Sequence, residues 1–87
     1  MTETTLSSLA PGRGAYVTRL TTLGALRRRL LDVGLTPGAA VWALWRGRGG
    51  GIAAYRIRGA VVALRRADAD TVLVRVPAEG EEAAAWV

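Results

Sequence analysis

The sequence contains no cysteine and no histidine. Without cysteine, the chain has no disulfide framework, no thiol nucleophile and no zinc knuckle. Without histidine, it lacks the commonest general base and the commonest ligand of transition metals. No other pair of nucleophile and base is visible. The sequence therefore predicts a protein that is not an enzyme and that carries no metal site and no cofactor.

Long apolar runs are also missing. No stretch approaches the ~20 apolar residues that a membrane-spanning helix needs. The N-terminal residues lack the basic start and the apolar segment of a signal peptide. We therefore expect a cytoplasmic protein, and recruitment to the inner face of the cell membrane stays open.

Lysine is absent as well, so all twelve basic residues are arginine, against seven acidic residues and a net charge of +5. Three of the acids, Glu79, Glu81 and Glu82, lie in the last nine residues, so the preceding part has twelve basic and four acidic residues and a charge of +8. This excess favours an acidic partner, whether protein, nucleic acid or membrane surface. It does not choose among them.

Length and composition predict one small domain at residues 1–77 and an acidic, alanine-rich tail at residues 78–87. Residues 1–5 are polar, and we expect them to fray. The tail contains Trp86. Residues 81–87 could form a short helix, but seven residues are too few for a helix that is stable in isolation. The tail therefore either docks on the domain through the Trp86 side chain or is mobile.

Short segments rich in β-branched and aromatic residues recur about every ten residues. They predict strands at residues 13–20, 39–45, 52–58, 61–64 and 72–76, with a helical turn at 66–70. A helix at roughly 23–33 separates the first two strands. This order predicts a mainly β fold, a small five-stranded barrel with one short α-helix inserted after the first long strand.

The segment from residue 24 to residue 38 has the clearest local signals. Leu23, Leu26, Leu30 and Val33 follow one another at helical spacing and share one face. Gly34 comes directly after them and suits the left-handed position that ends a helix. Residues 36–38, Thr-Pro-Gly, then match a type II turn.

The run RRRLLDVGLTPGAAV, with YRIRGAVVALRRADADTVLV downstream, resembles the FeoA family, the small cytosolic partners of the bacterial ferrous iron transporter FeoB. The resemblance covers roughly residues 6–76. It implies an SH3-like barrel that docks on the cytosolic G-domain portion of FeoB and supports ferrous iron uptake. It implies transition metal binding only at the level of the family.

Six residues are candidates for partner binding. A tryptophan that faces outward is typical of binding hot spots, and alternation in the second strand places Trp42 opposite the face shared by Val41, Ala43 and Trp45. The alternative is that Trp86 of the tail, or a flank of the barrel, covers Trp42. The candidates are Arg27, Arg28, Arg29, Trp42, Arg56 and Arg58.

The arginines have plainer alternatives. The alternative for the three arginines of the helix is a solvated face, with a local ion pair between Arg28 and Asp32 one turn later. Arg56 and Arg58 alternate with apolar residues and form a basic edge. An aromatic beside arginines also suits single-stranded nucleic acid.

The function predicted from the sequence is therefore a non-catalytic accessory protein that binds FeoB. A basic small barrel that binds single-stranded nucleic acid is one alternative. A stand-alone SH3-like barrel of the kind appended to metal-dependent repressors, binding a peptide, is another. Self-association through an apolar outer strand face stays open.

Overall fold

Six antiparallel strands form one sheet in the computed structural model, which describes residues 2–77. The strands are β1 Thr2–Thr5, β2 Gly14–Leu20, β3 Ala40–Arg46, β4 Ile52–Ile57, β5 Ala60–Arg65 and β6 Val72–Val76. Two helices, α1 Gly24–Asp32 and α2 Arg66–Ala69, follow β2 and β5. The order across the sheet is β1-β6-β2-β3-β4-β5. The predicted mainly β class, with a helix after the first long strand, is confirmed.

The first strand, β1, differs from the prediction. Residues 2–5 do not fray: they pair with β6 from Thr2 opposite Val76 to Thr5 opposite Leu73. The described chain therefore has six strands, where the sequence predicted five. The expectation was wrong because a short polar segment carries no apolar alternation, and only its distant partner strand makes it part of the sheet.

Helix α1 and the turn after it agree with the prediction except at Leu23, which was expected on the apolar face but precedes the helix in extended conformation and is 82% exposed. Leu30 is 2% exposed and anchors the helix in the core. Gly34 has a φ of +113° just past the helix end. The amide of Leu35 donates to the Leu30 carbonyl at 3.1 Å, which satisfies a carbonyl that the last turn leaves unpaired.

The loop between α1 and β3 is the predicted turn. Gly38 has a φ of +87°, and the amide of Ala39 donates to the Thr36 carbonyl at 2.9 Å. Positive φ at the third position of a type II turn favours glycine. The turn aims β3 back along β2, with Ala40 opposite Tyr16.

The core lies on one side of the curved sheet. Alternate residues of the strands point into it, and the helix, the loops and a 3₁₀ turn at Leu6–Ser8 close its ends. Alternation of this kind leaves the other side of each strand to solvent. The largest fully buried side chains are Tyr55, Leu6, Leu30, Leu35, Ile57, Val17, Val41, Val72 and Val74.

The register of β3 against β4 slips after Ala43. Ala43 pairs with Tyr55, whereas Trp45 pairs with Ala54, so one residue of β3 is left over. An extra residue reverses the side on which the following side chains lie. Trp45 is consequently 51% exposed. The prediction that it shares the core-facing side with Ala43 was wrong because strict alternation does not allow for a bulge.

Candidate partner-binding face

The outer side of β3, β4 and β5 carries one of the predicted pairs of site residues. Trp42 on β3 stands opposite Arg56 on β4, and Arg56 stands opposite Val61 on β5. Directly opposed side chains in antiparallel strands have Cβ atoms about 4.5–5.5 Å apart. The sheet thus places an aromatic, a cationic and an aliphatic side chain in one row.

The same side of the sheet carries three exposed apolar side chains, one of them Trp45, which the bulge in β3 turns outward. Trp45 is 51% exposed, Ile52 42% and Val61 60%, and they are three of the four large hydrophobic side chains that are exposed among the described residues. The register places all three on the same side of the sheet as Trp42 and Arg56. We call these five residues the tryptophan face. Four of the five are apolar.

Two arginines accompany these apolar side chains. Arg56 lies within the first row, and Arg65 stands opposite Ile52 at the other end of β5. Both are exposed. Neither forms an ion pair with another residue of the described part of the chain. Their guanidinium groups are therefore available to an acidic partner.

Sequence reasoning missed three members of this face. Trp45 was assigned to the core side, and no local signal marks the bulge that turns it outward. Ile52 lies four residues before Arg56 on β4. Val61 lies opposite Arg56 on β5. Period-two counting from Arg56 would have found Ile52, whereas finding Val61 needs the register of the hairpin.

The arginines of α1 are directed to other parts of the fold. Arg27 Nη1 donates to the Leu20 carbonyl at 3.4 Å. Arg29 Nη2 lies 4.0 Å from Asp68 Oδ2 on α2. Arg28 is exposed and, within the described chain, has no ion pair with the aspartate one turn later or with any other acid. None of the three is a register neighbour of Trp42.

Arg58 has a structural contact of its own. It occupies the first turn position of the β4–β5 hairpin with a φ of +52°, followed by Gly59 at +81°. Two successive positive φ values are the geometry of a tight type I′ hairpin. Its Nη2 donates to Thr36 Oγ1 at 3.0 Å, which ties the hairpin to the loop after α1. The structure therefore joins Arg56 with Trp42 but engages Arg58 elsewhere.

The acidic residues of the described part of the chain do not cluster into a metal centre. Within residues 2–77, no group of three or more histidine, cysteine, aspartate or glutamate side chains could hold a metal ion. Glu3 accepts hydrogen bonds from Thr18 and Arg19, which lower the pKa of its carboxyl group below the ordinary value. Asp70 accepts a hydrogen bond from Ser7 Oγ. The donor set does not fit a transition metal, which prefers nitrogen or sulfur ligands.

A polar cleft lies between the 3₁₀ turn after β1, the β3–β4 loop and α2. Its volume is about 290 Å³. Arg46, on its wall, donates through Nη2 to the carbonyls of Ser7 at 3.3 Å and Leu9 at 3.1 Å. These bonds hold the end of β3 to the entering chain. The lining residues supply hydroxyl groups from Ser7 and Ser8 and guanidinium groups from Arg46 and Arg66.

Neither helix of the described residues has the length and hydrophobicity needed to cross a bilayer.

Solved structures with the same architecture include two FeoA proteins. A FeoA-like protein from Clostridium acetobutylicum is 25% identical with a TM-score of 0.82, over 97% of this chain and 99% of that one. FeoA from Stenotrophomonas maltophilia, solved with zinc, is 31% identical with a TM-score of 0.73, over 82% and 88%. That protein is a prokaryotic SH3 domain protein for which a role as a ferrous iron transport activating factor has been suggested.

A manganese-dependent transcriptional repressor also matches, at 20% identity and a TM-score of 0.77, over 86% of this chain and 42% of the repressor. At this identity, the likeness shows the fold alone. No curated protein matches the chain. The model of the FeoA domain matches residues 4–76. The chain therefore belongs to the FeoA family, and the SH3-like fold and the family predicted from its sequence are both confirmed.

Proposed function

We propose that this protein is a small non-catalytic accessory protein of ferrous iron uptake that docks on the cytosolic G-domain portion of a FeoB-type transporter. Docking would bring it from the cytoplasm to the inner face of the cell membrane. Membership in a family associated with ferrous iron transport supports the process. The observation that carries the docking is the tryptophan face, an exposed apolar patch bordered by arginine.

The composition of this face suits a protein partner. Exposed apolar patches with polar rims mark interaction sites, and tryptophan and arginine are the residue types most enriched at hot spots. Trp42 and Trp45 supply flat apolar area, while Arg56 and Arg65 supply charge. We therefore expect a partner surface with apolar side chains at its centre and carboxylates around them. The net charge of +5 would speed its encounter with such a surface.

The test is binding to the purified cytosolic domain of the FeoB-type transporter of the same organism, measured by calorimetry. We expect Trp42→Ala and Arg56→Glu each to weaken binding by at least about tenfold, because hot-spot residues of these types carry most of the binding energy of an interface. A tenfold loss of affinity corresponds to about 1.4 kcal/mol. Leu23→Ala is the control, since this side chain is 82% exposed and precedes α1, away from the face. Full affinity in both Trp42→Ala and Arg56→Glu would show that the transporter domain does not bind the tryptophan face.

A further variant separates the two predicted regions. Arg28→Glu reverses a charge on α1 without removing an ion pair of the described chain. If α1 also contacts the transporter, this variant weakens binding as well, and Trp42→Ala combined with Arg28→Glu abolishes iron uptake in cells. If only the tryptophan face makes contact, Arg28→Glu binds like the wild type.

Single-stranded nucleic acid is the second candidate partner. The arrangement of Trp42 and Trp45 beside Arg56 favours it, because bases stack on aromatic rings and guanidinium groups bind phosphates. Such binding falls steeply as salt concentration rises. This dependence distinguishes it from an interface with an apolar centre.

A further inference from the structure

The described chain ends beside the tryptophan face. Strand β6 runs antiparallel to β2 with Arg75 opposite Tyr16. Two residues further along β6, Pro77 is therefore level with Gly14, which lies two residues before Tyr16. Gly14 is in turn the register partner of Trp42 on β3. Pro77 is therefore two strand spacings from Trp42, about 10 Å.

Residues 78–87 are long enough to cross the whole face. Trp86 lies nine positions after Pro77, and nine extended residues span at most about 30 Å. The far edge of the face, β5, is four strands from β6, or about 19 Å. Every part of the face is within reach of Trp86.

The chemistry of this segment complements the face. Residues 78–87, AEGEEAAAWV, contain three glutamates, one tryptophan and no basic residue. The face offers exposed apolar side chains, with Arg56 and Arg65 unpaired by any described acid. A segment tethered to its site has an effective concentration of about a millimolar, so a contact too weak to form between molecules is populated within one.

We propose that residues 78–87 fold back across the tryptophan face of their own chain, with Trp86 against the exposed apolar side chains and the glutamates near Arg56 and Arg65. The segment then covers the surface that a partner would need. Its consequence, competition with the transporter, rests on the proposed function. The intramolecular contact itself does not.

The first experiment uses the full chain alone and records two-dimensional ¹H–¹⁵N NMR spectra. Trp86→Ala is expected to shift the indole N–H resonances of Trp42 and Trp45 and the backbone amide of Val61. The amide of Leu30, a buried residue of α1, is expected to stay in place. Unchanged indole resonances of Trp42 and Trp45 would overturn the proposal.

A second variant tests the contact from the side of the face. Val61→Glu adds a negative charge at a position that is 60% exposed, so it repels the glutamates and has little effect on the core. We expect the Trp86 indole resonance to move to its position in a free peptide of residues 78–87. Leu23→Glu, an equal charge change at an exposed site away from the face, leaves it unmoved. A Trp86 resonance that already matches the free peptide in the wild type would overturn the proposal.

Dilution distinguishes this occupant from a second copy of the chain. An intramolecular contact gives the same spectrum at every protein concentration. Spectra that lose the Trp86-dependent shifts on dilution would overturn the intramolecular contact in favour of an exchange between two copies.

The competition has its own readout. If the segment covers the face about nine-tenths of the time, Trp86→Ala raises the affinity for the cytosolic domain of the transporter about tenfold. Glu79→Gln combined with Glu81→Gln and Glu82→Gln acts in the same direction. If the NMR contacts are present and these variants bind the transporter no better, competition is overturned and the proposed docking surface fails, while the intramolecular contact stands.

Discussion

At the scale of single residues, Gly34 is the point of closest approach between the α1–β3 loop and the β4–β5 hairpin. Its φ is +113°, and an added Cβ would lie 2.9 Å from Arg58 Cδ and 2.9 Å from Ile57 Cγ2. Ile57 is fully buried and cannot move away freely in a close-packed core. Glycine is therefore required here both for its backbone conformation and for the space it leaves.

We predict that Gly34→Ala lowers the free energy of unfolding by about 2–4 kcal/mol. The left-handed conformation costs a side chain roughly 1–2 kcal/mol, and the crowding adds roughly 1–3 kcal/mol. Gly12→Ala is the matched control, since Gly12 has a φ of +87° and open space around it. Urea denaturation of both variants measures the difference. Equal losses would show that the contact with Arg58 and Ile57 does not matter.

Tyr55 is the second residue with a specific consequence. It is 2% exposed, and its hydroxyl donates to the Leu6 carbonyl at 3.4 Å. Burial raises the pKa of this phenol above its ordinary value of 10.0, and the nearby positive charge of Arg46 opposes the rise only in part. The folded chain thus holds this proton at pH values where the unfolded chain has lost it.

This pKa shift predicts how stability depends on alkaline pH. Below the ordinary pKa the contribution is fully present, and it is lost as pH rises through the raised value of the folded chain. The chain has no lysine and no cysteine, so few other groups titrate in that range. We expect Tm to fall in the wild type as pH rises above the ordinary pKa of 10.0, and Tyr55→Phe to remove most of this fall. An unchanged fall in Tyr55→Phe would contradict the assignment.

At the scale of elements, β1 shows how a polar segment becomes part of the sheet. It contributes no large apolar side chain, yet it pairs with β6 over four residues. Glu3 adds side-chain bonds to β2, accepting from Thr18 Oγ1 at 2.7 Å and from Arg19 Nη2 at 3.3 Å. These contacts cover the edge that β6 would otherwise expose.

We predict that deletion of residues 1–5 lowers the free energy of unfolding by roughly 2–4 kcal/mol. Each ladder hydrogen bond contributes about 0.5–1.5 kcal/mol net, and the shortened chain keeps Leu6, which belongs to the core. Urea denaturation of the two chains gives the difference. A free energy equal to that of the full chain would mean that the segment is frayed in solution, as its polar sequence suggested.

At the scale of the whole molecule, charge and apolar surface point to different partners. The net charge of +5 favours any polyanion. The tryptophan face favours a partner that also offers apolar side chains. The two contributions differ in their response to salt, since charge–phosphate contacts weaken with the release of counterions and burial of apolar surface does not.

We predict that any affinity for a single-stranded oligonucleotide at low salt is lost near physiological salt and is unaffected by Trp42→Ala. Fluorescence anisotropy over a salt series measures it. Binding that persists at physiological salt and that Trp42→Ala weakens would contradict the accessory role and favour the nucleic-acid candidate. The same salt series with the cytosolic domain of the transporter provides the comparison, and its binding is expected to persist.

The class of fold, the family and the local geometry around Gly34 could be predicted from the amino-acid sequence. These signals are local: helical spacing of apolar residues, a glycine past the helix end and a Thr-Pro-Gly turn each act within a few residues. The sequence also identified Trp42 and Arg56 as outward residues, because alternation within a single strand suffices for that.

Packing between separate elements determines that β1 joins the sheet, that Trp45 turns outward, and that Arg27, Arg29 and Arg58 bond to other parts of the fold. Each of these depends on a partner in another element of the fold. The ladder of β1 needs β6, the bulge is defined by the register with β4, and a guanidinium group chooses its acceptor after the elements have packed. Interactions between distant segments leave no periodic trace in either segment alone.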